Sequence, residues 1–186
     1  MMDIISSFDA NTVQAFMGVR TPGTTQLFIT ISELGSTVFI GGLSVFLALY
    51  FLLRSRLSWL AGLVVAMGGT AVVVFLLKEL IARTRPPAAL EAYTETGFSF
   101  PSGHASMSLA FYGFLAYLAY KTFPESRYRV AAITIAGGLI WLIGFSRVYL
   151  GVHYPSDVAA GFIVAAVFLW FAILVTKKLG KSPIVR

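Results

Sequence analysis

The stretch SRVYLGVHYPSD, residues 146–157, places a cation, an imidazole and a carboxylate close together in a hydrophobic chain. Arg147 precedes His153 by six residues and can hold an oxyanion beside the ring, while Asp157 follows by four, one helical turn on, within reach of the second ring nitrogen. Pro155 suits the first position of a helix, and Asp157 suits the first turn, where the dipole favours negative charge. We therefore predict a helix that begins beside His153, in a geometry that suits a histidine nucleophile. A polar loop between two helices is the alternative if the stretch is taken alone.

The composition outside this stretch is strongly apolar. Of the 186 residues, 58% are hydrophobic and 12% are charged, which is typical of an integral membrane protein. The chain has no cysteine and two histidines, which excludes disulfides, thiol nucleophiles and a histidine-rich metal cage. We therefore expect no metal and no cofactor. The net charge of +6 could suggest nucleic acid, but most of the cations flank apolar runs, which indicates membrane orientation instead.

Five apolar segments predict five membrane-spanning helices. Each is near the roughly 20 residues that a spanning helix needs; they cover residues 25–53, 59–82, 102–120, 129–147 and 156–176. Residues 1–24 are too rich in polar side chains to span, and their apolar positions fall near one helical face, which predicts an amphipathic interfacial helix. The predicted fold is all-α: a polytopic membrane bundle of five transmembrane helices plus this N-terminal helix, with a transmembrane domain over residues 25–180 and a tail over residues 181–186.

The cations near the span ends predict the orientation. They fall in the first loop, the third loop and the tail: Arg54 and Arg56; Lys121, Arg127 and Arg129; Lys177, Lys178, Lys181 and Arg186. By the positive-inside rule these segments face the cytoplasm. We therefore expect a multi-pass protein of the inner (plasma) membrane whose N-terminus lies outside, together with the loops around residues 83–101 and 148–155.

Two further features lie inside the predicted spans. Glu33 is an acidic residue within the first span, and we expect it at the outer interface or, as the alternative, against a substrate pocket. Small residues are frequent and are expected to let the helices approach closely: Gly41, Gly42, Gly62, Gly68, Gly69, Gly113, Gly137, Gly138 and Gly161.

The segment KELIARTRP, residues 78–86, ends the second predicted span. Lys78 and Arg85 are seven residues apart, so two helical turns place them on nearly the same face, and Pro86 helps to end the helix. The pattern predicts a two-pronged anion clamp. The alternative is a pair of cations that snorkel at a helix end, although outward ends usually carry fewer cations.

The segment FPSGH, residues 100–104, opens the third predicted span. Ser102 and Gly103 would present backbone N–H groups at the positively polarised start of a helix, with little side chain to obstruct a phosphate. His104 would stand beside them, placed to pass a proton to or from a reacting oxygen. The alternative is an ordinary turn that caps a helix.

All three motifs fall at outward helix ends, although they are spread over much of the chain. Lys78, Arg85 and Arg147 would together match a phosphate that carries up to about two negative charges plus the charge that develops in the transition state.

The three motifs resemble the signature of a known family, the type 2 phosphatidic acid phosphatases or PAP2 superfamily. That signature is a lysine, six residues and arginine-proline; then proline-serine-glycine-histidine; then serine-arginine, five residues, a histidine, three residues and an aspartate. Every position is filled and every spacing is met, by Lys78 and Arg85-Pro86, by Pro101 to His104, and by Ser146-Arg147, His153 and Asp157. One departure is that bacterial lipid phosphatases of this family often have six spans, whereas the first is missing here or reduced to residues 1–24. The missing span affects what the resemblance implies about lateral substrate entry and oligomeric state, but not what it implies about the chemistry. The resemblance therefore predicts no oligomeric state.

The resemblance implies a mechanism. His153 is the nucleophile that forms a phosphohistidine, Asp157 orients and polarises its ring, and His104 is the general acid that protonates the leaving oxygen and then activates water. The phosphate ligands that it implies are Lys78, Arg85, Ser102, Gly103 and Arg147. Neither a metal ion nor a cofactor takes part.

The implied function is a metal-independent phosphatase that acts on a membrane lipid phosphate at the outer face, with the lipid tail left in the bilayer. Candidate substrates are undecaprenyl diphosphate, phosphatidylglycerophosphate, phosphatidic acid and lipid A phosphates; the small loops favour a polyprenyl diphosphate or a broad specificity. A phosphotransferase of the same family, in which an acceptor hydroxyl replaces water, is an alternative. A transporter would more often carry charges near the midplane and repeated or broken helices. A soluble vanadium haloperoxidase, related through the same signature, is disfavoured by the five spans.

Overall fold

The computed structural model describes residues 2–123 and 127–180, and this part of the chain is helical with no strand. The all-α prediction is therefore confirmed, and the predicted tail over residues 181–186 lies outside the described residues. The helices in chain order are α1 (Met2–Val19), α2 (Pro22–Glu33), α3 (Thr37–Leu53), α4 (Leu57–Val64), α5 (Thr70–Ile81), α6 (Gly103–Thr122), α7 (Arg127–Tyr149) and α8 (Pro155–Gly180). A π-helical turn, Val65–Gly69, joins α4 to α5, and a 3₁₀ turn, Ala88–Leu90, follows α5.

Four helical segments within the described residues are long and apolar enough to cross a membrane. They are Pro22–Leu53, Leu57–Ile81, Arg127–Tyr149 and Pro155–Gly180, and they match four of the five predicted spans. The fifth corresponds to α6, which has 20 residues but carries polar side chains such as Ser106, Ser108 and Tyr112. These three are buried because α6 packs between α7 and α8, so its polarity is shielded from lipid. Whether α6 crosses the membrane stays a prediction.

The first predicted span, residues 25–53, is not one continuous helix as predicted. It is broken between the end of α2 at Glu33 and the start of α3 at Thr37. Ser36 caps α3, its hydroxyl accepting a hydrogen bond from the N–H of Phe39 at 3.2 Å. Tyr112 donates to the carbonyl oxygen of Leu34 at 2.8 Å, which satisfies a backbone group that the break exposes. Glu33 ends α2, is exposed to solvent or lipid, and does not line the cavity described below.

Close helix approach depends on some of the predicted glycines and not on others. A Cβ at Gly62 would lie 2.0 Å from the hydroxyl of Thr176, and one at Gly161 would lie 2.7 Å from the hydroxyl of Ser106. Gly69 and Gly113 are equally crowded, by Phe168 and Leu169. By contrast, a Cβ would meet nothing within 4 Å at the remaining predicted positions, which are Gly41, Gly42, Gly68, Gly137 and Gly138. For those five, the packing interpretation was wrong, because they face outward from the described helices.

The helix ends that carry the motifs meet at one end of the bundle. The starts of α3, α6 and α8 and the ends of α5 and α7 lie there, and α1 packs across this end against α7 and α8. The predicted N-terminal helix is confirmed as a helix, but its buried positions are Asp9 and Val13, while Ile4, Ile5 and Phe8 are exposed. Its place at a membrane interface stays a prediction.

Candidate active site

A cavity of about 330 Å³ lies at this end and brings the three motifs together. Residues from all of them line it, together with the loop before α6: Thr37, Lys78, Glu79, Arg85, Glu95, Thr96, Gly97, Phe98, Gly103, His104 and His153. Five of the eight predicted site residues are among these. The other three, Ser102, Arg147 and Asp157, are fully buried behind the wall of the cavity.

His153 lies in the short connection between α7 and α8 and is almost completely buried. Its Nδ1 atom is 3.5 Å from Oδ2 of Asp157 and 3.3 Å from the hydroxyl of Ser99, and its Nε2 atom is 3.2 Å from Nη1 of Arg85. Burial lowers the pKa of His153 to about 4, although the hydrogen bond to Asp157 opposes the shift. The ring is therefore neutral near pH 7. If Nδ1 carries the proton toward Asp157, the electron pair of Nε2 lies on the cavity side, where it accepts a hydrogen bond from Arg85.

Asp157 sits in the first turn of α8, whose start at Pro155 agrees with the predicted helix start. Its Oδ2 atom accepts hydrogen bonds from the hydroxyl of Ser99 and from the N–H of Tyr154, the latter at 2.9 Å. Its Oδ1 atom accepts from Nη1 of Arg83 at 2.7 Å. Both oxygens are thus held by specific donors, which fixes the carboxylate beside the ring of His153.

Arg147 is fully buried near the end of α7 and contacts an acidic side chain that the sequence motifs do not contain. Its Nη1 atom donates to the hydroxyl of Ser32 at 2.6 Å and to the hydroxyl of Tyr93, and its Nη2 atom pairs with Glu95. Its Nε atom has no hydrogen-bond partner among the described residues. A buried guanidinium with a spare donor is suited to bind an additional oxygen.

Glu95 therefore lies where an anionic ligand of the cationic cluster would bind. Besides its contact with Arg147, its Oε1 atom is 3.7 Å from Nη2 of Arg85. Burial is the largest single influence and raises the pKa of Glu95, but the nearby positive charges, above all that of Arg147, and the hydrogen bond from Arg147 together outweigh burial and lower that pKa to about 2. The side chain is therefore an ionised carboxylate that occupies part of the anion site.

The two predicted clamp residues donate to backbone carbonyls of the same loop. Arg85 donates from Nε to the carbonyl of Gly97 and from Nη2 to the carbonyl of Thr96, both at 3.0 Å, and Lys78 donates to the carbonyl of Phe98. We call residues 95–98 the anion-site loop. The carboxylate of Glu95 and the three carbonyls of this loop accept hydrogen bonds from all three predicted phosphate-binding cations, Lys78, Arg85 and Arg147.

The start of α6 differs in detail from the predicted oxyanion cradle. The hydroxyl of Ser102 caps the helix, accepting from the N–H of Ala105 at 3.5 Å, and the N–H of Ser102 donates to the carbonyl of Asp157 at 3.0 Å. Gly103 faces the cavity, and a Cβ there would meet nothing within 4 Å. Of the two, Gly103 alone lines the cavity, while Ser102 joins α6 to α8.

Three residues in contact with the site were missed by the sequence analysis: Ser99, Glu95 and Arg83. Ser99 and Arg83 lie within or next to predicted motifs, so a search for further hydrogen-bonding side chains there could have found them. Glu95 lies in a loop with no periodicity, and no local pattern points to it. Among the described residues, no group of three or more His, Asp or Glu side chains could hold a metal ion, and independence from metal stays a prediction.

Comparison with known proteins agrees with this geometry. The model of the PAP2 superfamily matches residues 59–181, which is more than half of the chain. Phosphatidylglycerophosphatase B of Bacillus subtilis (strain 168) is 35% identical over 162 residues, covering 85% of this chain and 78% of the relative. Lipid A 1-phosphatase of Rhizobium johnstonii is 43% identical over 109 residues, covering 53% of this chain and 39% of the relative.

Two solved structures have the same fold. The crystal structure of a transmembrane PAP2 type phosphatidylglycerolphosphate phosphatase from Bacillus subtilis superposes with a TM-score of 0.86 at 32% identity, covering 96% of this chain and 89% of that chain. The structure of Aquifex aeolicus LpxE, at 23% identity and a TM-score of 0.68, covers 89% and 94% and supports the fold alone. With its family model, its relatives and its three converging motifs in agreement, this chain belongs to the PAP2 superfamily and is a phosphatase of that family.

Proposed function

We propose that this protein is a metal-independent phosphatase of membrane lipid phosphates and diphosphates that works through a phosphohistidine on His153. The observation that carries the proposal is the position of His153. Its Nδ1 atom faces the carboxylate of Asp157 at 3.5 Å, and its Nε2 atom lies 3.2 Å from Arg85 at the wall of a cation-lined cavity. A buried, neutral imidazole oriented by a carboxylate is the arrangement that nucleophilic attack on phosphorus requires.

The cationic cluster supplies the electrostatic part of the reaction. When a lipid phosphate enters, its oxygens take over the donors of Lys78, Arg85 and Arg147 from the anion-site loop, and the free Nε atom of Arg147 adds another. Gly103 supplies an N–H group at the start of α6. These fixed positive groups stabilise the charge that develops on the phosphoryl oxygens, so the chemistry needs no metal. Ser102 supports the cradle through its bond to Asp157.

His104 takes the role of general acid. It lines the cavity from the first turn of α6, and His153 lines it from the α7–α8 connection. A phosphate held between the two rings has its leaving oxygen within reach of His104, whose ring enters the reaction protonated beside the negative charge of the phosphate and donates that proton to the leaving oxygen. In the second half of the reaction, His104 takes a proton from the water that attacks the phosphohistidine, and phosphate is released.

The place of the cavity among the helices supports the proposed substrate class. Thr37 begins α3, and Lys78 and Glu79 lie in the last turns of α5, so two apolar spanning segments border the cavity. A volume of about 330 Å³ accommodates a phosphorylated headgroup while the tail stays in the bilayer. We propose phosphatidylglycerophosphate, undecaprenyl diphosphate and phosphatidic acid as substrates; the activity named for the Bacillus subtilis relative supports the first.

The test is phosphate release by the purified protein from a panel of these lipids, with and without EDTA, beside His153→Ala as the matched control. We expect release by the wild-type protein in both conditions, inhibition by vanadate and trace release by His153→Ala. Loss of activity in EDTA that magnesium restores would contradict the proposed mechanism. Activity of His153→Ala at the wild-type level would contradict the phosphohistidine.

A further inference from the structure

We infer that Asp9 on α1 and Arg83 after α5 are positioning residues of the reaction, which hold and charge-balance the carboxylate that orients His153. The inference rests on the proposed function, and it gives the N-terminal helix a part in catalysis. Neither residue is one of the positions that define the family signature, although Arg83 lies inside the segment 78–86. Neither residue lines the cavity.

Arg83 bridges two buried carboxylates. Its Nη1 atom donates to Oδ1 of Asp157 at 2.7 Å, and its Nη2 atom donates to Oδ2 of Asp9 at 2.8 Å. Asp9 and Asp157 are both 0% exposed. Since Oδ1 of Asp157 is held by Arg83, only Oδ2 faces Nδ1 of His153. Arg83 therefore determines which oxygen serves the imidazole.

The guanidinium of Arg83 is itself held on several sides. Its Nη1 atom also donates to the hydroxyl of Ser156 at 2.7 Å, and its guanidinium carbon lies 4.3 Å from the centre of the Tyr154 ring. Its carbonyl accepts from the N–H of Ser99 at 2.8 Å, which ties the second hydrogen-bond partner of Asp157 to the same residue. Burial is the largest single influence and lowers the pKa of Arg83, but the hydrogen bonds to Asp9 and Asp157 and the charges of both carboxylates together outweigh burial and raise it. The residue is therefore a permanent cation.

Asp9 adds a second contact, to the start of α8. Its Oδ1 atom accepts from the N–H of Ser156 at 3.1 Å, and its Oδ2 atom accepts from the hydroxyl of Ser156. A carboxylate at this place satisfies a free N–H group of the helix that carries Asp157 and interacts favourably with its dipole. The side chain of Asp9 thus anchors both the start of α8, which carries Asp157, and Arg83, which bonds the Asp157 carboxylate.

The charges explain why Asp9 is needed. The proposed attack turns the neutral ring of His153 into a cationic phosphohistidine, which the negative charge of Asp157 stabilises. Arg83 alone would cancel most of that charge at a distance of 2.7 Å. Asp9 compensates Arg83, so the buried group of two carboxylates and one guanidinium keeps one net negative charge to face the ring. Without Asp9, the phosphoryl transfer slows while binding of the phosphate is preserved.

The experiment measures kcat and KM for lipid phosphate release by wild type, Asp9→Asn, Arg83→Gln and the double variant. We expect Asp9→Asn to lower kcat by about fivefold or more with KM within about twofold of wild type, because contacting charges couple strongly. The double variant should lose less than the two single losses combined, since Asp9 and Arg83 are directly paired and act on the same carboxylate. The folded fraction of each variant is set by thermal unfolding and size-exclusion chromatography in detergent, so a loss of folded protein does not enter kcat.

The matched control is Val13→Ala, which removes buried packing from the same helix but takes no part in the hydrogen bonds and ion pairs of Arg83. We expect its kcat per active site to stay near that of wild type. An Asp9→Asn variant with wild-type kcat, additive losses in the double variant, or an equal loss in Val13→Ala would each overturn the inference. An inactive wild-type protein or an active His153→Ala variant would instead count against the proposed function, so the two failures are distinguishable.

Discussion

At the scale of single residues, the two histidines that line the cavity differ in their surroundings. His153 is buried and faces the Asp157 carboxylate, whereas His104 lines the cavity from the start of α6 without belonging to that carboxylate group. A nucleophile needs an orienting partner, and a general acid needs access to the leaving oxygen. The two surroundings therefore match the two proposed roles, and the roles lead to different failures on substitution.

We expect His153→Ala to show only trace turnover on every substrate, because the covalent route is lost. His104→Ala should lose about 10²- to 10⁴-fold on phosphatidic acid, whose alcohol is a poor leaving group, and much less on a lipid diphosphate or on p-nitrophenyl phosphate. The measurement is the activity of both variants on all three substrates, normalised to wild type. Equal losses for His104→Ala across the series, or rescue of His153→Ala by the good leaving group, would overturn the assignment.

A second residue-scale prediction concerns Glu95, whose carboxylate pairs with Arg147 and lies 3.7 Å from Arg85. Because in the proposed mechanism a phosphate displaces this carboxylate, Glu95→Gln should lower KM and the inhibition constant of vanadate by roughly threefold or more. The matched control is Glu91→Gln. This variant removes the same charge from the connection between α5 and α6, but Glu91 lies outside the anion-site loop and does not line the cavity. An unchanged or higher KM for Glu95→Gln, or an equal effect of Glu91→Gln, would show that Glu95 does not compete with the substrate.

At the scale of helices and loops, the connection between α7 and α8 positions His153 through one glycine. Gly151 has a φ of 74°, and a Cβ on it would lie 2.1 Å from the carbonyl oxygen of Leu90. The N–H of Ala92 donates to the carbonyl of Leu150 at 2.8 Å, and Arg20 donates to the carbonyls of Tyr149 and Leu90 at 2.6 and 2.5 Å. The connection is therefore packed tightly against the loop that follows α5.

We expect Gly151→Ala to lower the melting temperature and to reduce kcat at least tenfold, because both the left-handed backbone and the contact with Leu90 resist a side chain. The control is Gly138→Ala in α7, where a Cβ would meet nothing within 4 Å and helix propensity improves. Thermal unfolding and turnover of the two purified variants are the measurements. Wild-type behaviour of Gly151→Ala would mean that the connection adapts without moving His153.

The helix ends that carry the motifs were predictable from the sequence, whereas one helix break and one long-range ion pair were not. Spacing and helix-start signals predicted that Lys78, His104 and His153 would meet, because each lies next to a helix end that hydropathy locates. The break between α2 and α3 was missed although Gly35 and the capping Ser36 lie inside the predicted span, because hydropathy averaged over a span hides such a local signal and does not reveal the bond from Tyr112 to Leu34. The contact of Asp9 with Arg83 was missed because it joins distant parts of the chain through tertiary packing alone.

At the scale of the whole molecule, the cavity and most of the described cations lie at opposite ends of the bundle. The cavity is lined by the starts of α3 and α6 and the end of α5. Basic residues gather where α3, α6 and α8 end, near a second cavity that Lys121 and Lys177 line. This asymmetry supports the proposed orientation, with the catalytic cavity outside and the basic end in the cytoplasm.

Labelling of single cysteines tests the orientation directly, since the chain contains no cysteine of its own. We expect a membrane-impermeant thiol reagent to modify Ala88→Cys in intact cells and to modify Thr122→Cys only after permeabilisation. Both positions are exposed, and they lie at opposite ends of the bundle. The reverse pattern would invert the proposed topology, and phosphatase activity of both variants provides the check that they are folded.

The anion-site loop has a consequence for the end of each catalytic cycle. A bare pocket with three cations would hold inorganic phosphate tightly and would make its departure slow. Here the carboxylate of Glu95 and the carbonyls of Thr96, Gly97 and Phe98 bond the same cations, so in the proposed cycle the protein's own oxygens replace those of the departing ion. Turnover in an environment rich in free phosphate should therefore continue with little product inhibition.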